Sequence, residues 1–247
     1  DIDDLTDLAQ RHGAKGLAWV RVGEESGPVA KNSTPEFLEK LNETTGAQSG
    51  DLIFFAAGDY PHALEPLGHV RNAVAKMLNL IDESKWAYCW IVDFPMFEKN
   101  AEGHVGAMHH PFTRPHKDDE EVFQSDPLAA RATAYDLVLD GNEVGGGSMR
   151  IHERDLQQKV FDALGITGED ADRRFGHMLN AFEYGAPPHG GIAMGLDRVC
   201  MLFADEPNIR EVIAFPKDQK AKDLMLGAPS PMPEEQIEEL GIKIIEE

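Results

Sequence analysis

Apolar positions change their spacing along this chain and divide it into two textures. Residues 3–12 carry Leu5, Leu8 and Ala9 at helical spacing and stop at Gly13, the pattern of a helix with one inward stripe. Residues 16–22 form a short apolar run, with Leu17, Ala18, Trp19 and Val20, that reads as a strand. Ser33-Thr34-Pro35-Glu36 offers a hydroxyl cap followed by proline at the first helical position. A helix is expected there, with Phe37, Leu38 and Leu41 on one face and Gly46 at its end. Residues 52–57 predict a buried strand closed by Gly58-Asp59, and residues 60–80 a longer helix with Leu64, Leu67, Val74 and Leu78 inward. Helix–strand–helix–strand–helix predicts a small α/β domain over residues 1–80.

Beyond that boundary the pattern shifts to strands joined by hairpins. Residues 86–94 read as a strand broken by Pro95, and residues 98–131 as long polar loops. Residues 134–140 and 143–152 are strand-like, and helices are expected over 155–164 and 170–184. Residues 190–194 form a further strand that runs at Gly195-Leu196-Asp197-Arg198 into an apolar helix. Strands joined this way predict a mainly antiparallel sheet flanked by helices, an α+β domain over residues 81–247.

Composition narrows the function classes. The chain has 247 residues, 42% of them hydrophobic and 27% charged, which fits a folded globular protein and excludes a disordered one. No apolar run approaches the ~20 residues that cross a bilayer, and no membrane partner is expected. Two cysteines are too few for a disulfide scaffold, so a reducing, cytoplasmic location is expected. Lys and Arg number 23 against 44 Asp and Glu, for a net charge of −21. That sign opposes a general nucleic-acid-binding surface, though a local basic site remains compatible. The acidic run Asp118-Asp119-Glu120-Glu121 and the tail from Glu234 read as solvated surface.

Asp140-Gly141 between two apolar strands predicts a tight hairpin, because both residues tolerate positive φ. With those two as the loop, Val138 faces Glu143 and Asp136 faces Gly145, which puts the Asp136 and Glu143 carboxylates on one face. Such a pair suits Mg²⁺, which takes one or two carboxylates together with phosphate oxygens. The plainer alternative is two solvent-facing acids. Gly145-Gly146-Gly147 within a strand signals a bulge or a close approach of another group to the backbone. Arg150 has the wrong parity to share the acidic face unless a bulge within the glycines corrects it. It would then offer a planar fork to a carboxylate. Arg198 falls in the first turn of a helix, unfavourable for a cation beside the helix dipole, so a compensating anion or stacking partner is expected. Neither a dinucleotide loop, a phosphate loop nor H-E-x-x-H occurs.

These segments carry a resemblance. Gly190 to Arg198 resembles motif 3 of the class II aminoacyl-tRNA synthetases. His109-His110-Pro111-Phe112-Thr113, Tyr135-Asp136-Leu137-Val138, the stretch from Glu143 to His152, Tyr184 to His189 and Ile213 to Lys217 resemble the bacterial-type aspartyl-tRNA synthetases. The matches run in family order from Trp86 to Ser230. Residues 1–80 resemble the later part of the family's insertion domain. The resemblance implies that L-aspartate attacks the α-phosphate of ATP to give aspartyl-adenylate, and that the aspartyl group then passes to the 3′ end of tRNA. It further implies that Arg150 binds the aspartate side-chain carboxylate and His109 helps to hold the amino acid. Asp136 and Glu143 would hold Mg²⁺ against the phosphates of ATP. Arg198 would stack on adenine and reach the phosphates, and Gly195, Leu196 and Asp197 would form the nucleotide platform. Catalysis in such a site is positioning and charge neutralisation.

Some family segments are absent from these 247 residues. Nothing matches the anticodon-binding barrel, motif 1, or the Phe-Arg-x-Glu of motif 2, whose arginine grips the α-phosphate. Losing such a donor typically costs about 3–4 kcal/mol, and missing strands would leave the sheet an open edge. The chain is therefore expected to be a C-terminal piece of an enzyme that is a homodimer at full length, and to be inert unaided. Two alternatives are a paralogue that binds ATP or aspartate for regulation, and an amide synthetase that uses aspartyl-adenylate without tRNA. The insertion-domain resemblance argues against the latter.

Overall fold

The computed structural model describes residues 1–58, 62–100 and 102–245. The chain falls into two compact units, Asp1–Lys85 and Trp86–Glu247.

The first unit contains helix α1 (Ile2–Arg11), strand β1 (Ala18–Arg21), the single turn α2 (Pro28–Lys31), helix α3 (Pro35–Thr45), strand β2 (Leu52–Phe55) and helix α4 (Leu64–Met77). Thr34 caps α3 by accepting from the Phe37 amide, Pro35 occupies the first turn, and Gly46 closes the helix in the left-handed region; each choice matches the local backbone requirement. Strands β1 and β2 pair antiparallel, Ala18 opposite Phe55 and Arg21 opposite Leu52. Leu5, Ala9, Leu17 and Val70 make the buried centre, joined by Leu67, Ala73 and Val74.

Several expectations for this unit need correction. Strand β2 is half-buried rather than buried, because among the described residues its two-stranded sheet has no further strand on either edge. Phe37, Leu64 and Leu78 are exposed, since each lies at a helix end, beyond the stretch whose stripe meets the core. Of the helix expected over 60–80, Tyr60 and Pro61 lie outside the described residues, as does the Asp59 expected to close the preceding strand.

The second unit is built on a four-stranded antiparallel sheet of order β3-β6-β7-β8, formed by β3 (Tyr88–Val92), β6 (Ala134–Leu139), β7 (Asn142–Met149) and β8 (Gly190–Met194). Between β3 and β6 the stretch expected to be loop also holds a small hairpin, β4 (Phe97–Lys99) with β5 (Val105–Ala107), and the short helix α5 (Glu120–Ser125). These elements are too short to carry a periodic signal. Helices α6 (Arg154–Ala163) and α7 (Gly168–Phe182) follow β7, α8 (Leu196–Phe203) follows β8, and α9 (Glu234–Glu239) lies in the exposed acidic tail.

One core cluster gathers Met96, Phe97, Phe123, Ala130, Ala132, Ala134, Ile151 and Val160; another joins Phe161, Ala171 and Leu179 to Phe112, Phe175 and Met178. Strands β3 and β8 are exposed along their whole length and, among the described residues, form the two edges of the sheet. The acidic run departs from its expected reading at one residue. Asp119 is buried and accepts from the Arg131 backbone amide at 2.9 Å and from its Nε and Nη2, both at 2.8 Å. This bidentate pair fixes the loop that enters β6.

Candidate active site

The β6–β7 hairpin turns at Asp140-Gly141, both at positive φ. Leu139 faces Asn142 and Val138 faces Glu143, as the turn dictates; the register then shifts by one residue, so that Leu137 faces Gly145 and Asp136 faces Gly146. The extra residue is Val144, at the edge of the glycines rather than within them. Asp136 therefore faces Gly146 and not Gly145. The consequence for parity is the expected one: past the bulge, Gly146, Ser148 and Arg150 share the face that carries Asp136 and Glu143.

The glycines are explained by what stands against them. A β-carbon on Gly146 would lie 2.8 Å from Asp136 Oδ1 and 3.2 Å from Glu143 Oε1, so its hydrogen leaves room for two carboxylates to converge. On Gly147 it would lie 2.0 Å from the Gly191 carbonyl oxygen and 2.9 Å from the Tyr135 ring. There the absence of a side chain lets β8 close on β7, and the Tyr135 hydroxyl also donates to Gly191 O at 3.0 Å.

Arg198 finds its compensating anion within the chain. Its Nη1 donates to the Glu143 carbonyl at 2.7 Å and pairs with Glu143 Oε2 at 3.1 Å. The contact joins the first turn of α8 to the hairpin. At the other end, Arg150 Nη1 lies 3.2 Å from His110 Nδ1. That nitrogen also accepts from the Phe112 amide at 3.2 Å. An acceptor Nδ1 carries no proton, so the neutral ring is protonated at Nε2, which lies 3.5 Å from Ser148 Oγ. Burial, then the Arg150 charge, then His109, push the His110 pKa below the ordinary histidine value. The loop bearing it is fixed by a bridge between Thr113 and Arg150, by Ile151 N–H to Phe112 O at 3.0 Å, and by the buried Gln157 of α6 donating to Pro111 O at 2.7 Å.

These groups line one cavity of about 600 Å³, together with Ala193, Met194, Gly195, Asp197 and Ile209. Volumes of that order take nucleotide-sized ligands. Asp136, Glu143, Arg150, Arg198, His109, Gly195 and Asp197 all lie on its wall. Leu196 does not: it is absent from the wall and its side chain is exposed to solvent. His110, Ser148 and Ile209 line the cavity without having been singled out in the sequence.

Burial first, and the neighbouring Glu143 charge second, raise the Asp136 carboxyl above the usual range, with His109 and Arg198 opposing. Two acids held close enough to repel one another fit a divalent cation with oxygen ligands. An acidic pair flanked by two guanidiniums, over a floor of glycine backbone, has the chemistry to take a divalent cation, a phosphate group and a carboxylate side by side.

A family profile for tRNA synthetases class II (D, K and N) matches residues 24–219, and the chain belongs to this family. It is similar to the Aspartate--tRNA(Asp/Asn) ligase of Salinispora arenicola (strain CNS-205), 51% identical over 250 residues that cover 98% of this chain and 41% of the relative. It is also 51% identical to the Aspartate--tRNA ligase of Streptococcus suis (strain 98HAH33), over 99% of this chain and 42% of the relative. The chain thus spans about two fifths of the length of the curated relatives it matches. Among solved structures, the aspartyl tRNA synthetase from Entamoeba histolytica superposes on 76% of this chain and 31% of its own, at 24% identity and a TM-score of 0.43.

Proposed function

We propose that this chain carries the aspartate- and nucleotide-binding part of an aspartate–tRNA ligase. The reaction has two steps. An oxygen of the α-carboxylate of L-aspartate bonds to the α-phosphorus of ATP while the bond to the bridging oxygen breaks, so that aspartyl-adenylate forms and pyrophosphate leaves. A terminal hydroxyl of tRNA then attacks the activated carbonyl, releasing AMP. The observation that carries this reading is the convergence of Asp136, Glu143, Arg150 and Arg198 on one cavity.

Within it, Arg150 binds the aspartate side-chain carboxylate through two parallel N–H donors, held in place by His110. His109 supports the amino acid from the same loop. Arg198, tied to Glu143 by Nη1, presents its plane to the adenine and its remaining N–H groups to phosphate. Gly195 and Asp197 give the nucleotide a platform on the cavity wall. Asp136 and Glu143 would hold Mg²⁺, which when bound neutralises phosphate charge. None of these residues forms a covalent bond with substrate, so their contribution is orientation and electrostatic stabilisation.

The complete two-step reaction is assigned to the longer polypeptide that also contains Phe-Arg-x-Glu. Residues 1–80 belong to an insertion domain in the same reading, with a cytoplasmic location and a homodimeric assembly at full length. The test is calorimetric titration of the purified chain with a non-hydrolysable aspartyl-adenylate analogue and Mg²⁺. One saturable site is expected, and the absence of binding would overturn the proposal. Binding without aspartate-dependent ATP–pyrophosphate exchange in the longer polypeptide would instead support a regulatory module.

A further inference from the structure

Three metal-ligating side chains gather in the first unit. His12 stands at the C-terminal cap of α1, and Glu65 and His69 lie on α4. Four residues apart on a helix, Glu65 and His69 share one face. One donor atom from each of the three residues lies within 4.8 Å of the other two. The two imidazoles are stacked, with ring centroids 3.4 Å apart and planes 14° from parallel. Ligation of one ion would tilt both rings out of this stack, so that their in-plane nitrogen lone pairs converge.

The positions are fixed by the backbone rather than by flexible loops. Helices α1 and α4 pack through Leu5, Ala9 and Val70. The chain leaves α1 through bonds from His12 N–H to Ala9 O and Gly13 N–H to Gln10 O. Both histidines are half-buried and Glu65 is exposed, so the cluster is rigid on one side and open to solvent on the other.

We propose that His12, Glu65 and His69 bind one divalent ion of the zinc class, clamping the end of α1 to the first turns of α4. Two imidazoles and a carboxylate suit Zn²⁺ and neighbouring transition metals, whereas Mg²⁺ and Ca²⁺ prefer oxygen ligands throughout. Three protein ligands leave a fourth position for water or an incoming group. Because the ion binds the folded unit and not the unfolded chain, it adds to thermal stability.

The test uses the full chain, stripped with a chelator and titrated with Zn²⁺. With excess Mg²⁺ present to occupy the Asp136–Glu143 pair, one Zn²⁺ site is expected, with a rise in melting temperature, and Co²⁺ in its place should give the visible d–d bands of a tetrahedral complex. His69→Gln and Glu65→Gln are expected to weaken binding by about 10–100-fold or more, a loss seen even when a group that merely supports a ligand is removed. Glu65 is exposed and glutamine keeps its shape, so this variant separates ligand loss from misfolding. Glu206→Gln, an exposed acid outside both sites, should leave the Zn²⁺ isotherm unchanged. No saturable binding in the unaltered chain, or binding that survives equally in His69→Gln and Glu65→Gln, would overturn the proposal.

Discussion

The Arg198 guanidinium holds Glu143 twice, at its backbone carbonyl (2.7 Å) and at its carboxylate (3.1 Å). The first contact does not depend on the Glu143 side chain, so Arg198 should keep its place when that carboxylate is neutralised. Glu143→Gln then isolates the metal role. It is expected to weaken Mg²⁺-dependent ATP binding by about 10–100-fold, the scale of a charged contact, while leaving metal-free adenosine binding nearly unchanged. Calorimetry with and without Mg²⁺ checks this; an equal loss for both ligands would count against it.

Gly146 supplies a steric test of the same pair. Gly146→Ala places a β-carbon 2.8 Å from Asp136 Oδ1 and 3.2 Å from Glu143 Oε1, closer than side chains tolerate, so the carboxylates must part. The expected outcome is loss of Mg²⁺-dependent nucleotide binding with an unchanged far-UV spectrum. Gly176→Ala, in a helix with open space around the added methyl, serves as a control with binding intact.

His110 links pH to Arg150. Its pKa lies below the ordinary value, so the folded state resists protonating it, and its contribution to stability is present above about pH 6.5. That contribution is lost as pH falls through the lowered folded value. Protonation would also remove the acceptor that faces Arg150. NMR titration of the imidazole should therefore give a midpoint below that of an unstructured histidine. His110→Ala should weaken aspartyl-adenylate analogue binding by about tenfold, the upper scale of one hydrogen bond.

Asp119 behaves in the opposite sense to a group that burial neutralises. Its hydrogen bonds to the Arg131 side chain, then to the Arg131 amide, hold its carboxyl well below the usual range. The resulting stabilisation is present above about pH 4, the ordinary aspartate value, and is lost as the carboxylate protonates below it. Asp119→Asn should be less stable than the unaltered chain at pH 7 by urea denaturation, with the gap narrowing towards pH 3. A constant gap would contradict the assignment.

Most elements were legible because their signals are local. The Thr34-Pro35 cap, the Asp140-Gly141 turn and the stripe of α1 each depend on residues within one or two turns of chain. Parity also carried far into the site: it put Asp136 and Glu143 on one face and required a bulge to bring in Arg150. Which residue would bulge was not legible, because glycines are the usual sign of a bulge and Val144 carries no such signal. His110 was hidden for a related reason. Its place beside Arg150 is set by the bridge from Thr113 to Arg150, a contact distant in sequence, and both adjacent histidines reach the cavity. Burial of Asp119 depends likewise on Arg131, twelve residues on.

The central claim is that Arg150 reads a carboxylate beside the acidic pair. Its most direct measurement is the ratio of affinities for aspartyl- and asparaginyl-adenylate analogues, taken for the unaltered chain and for Arg150→Gln. The unaltered chain should favour the aspartyl compound by about 10–100-fold, as a charge-assisted bidentate contact implies, and Arg150→Gln should lose that preference while still binding Mg²⁺ and nucleotide. An Arg150→Gln protein that keeps the full preference would contradict the account.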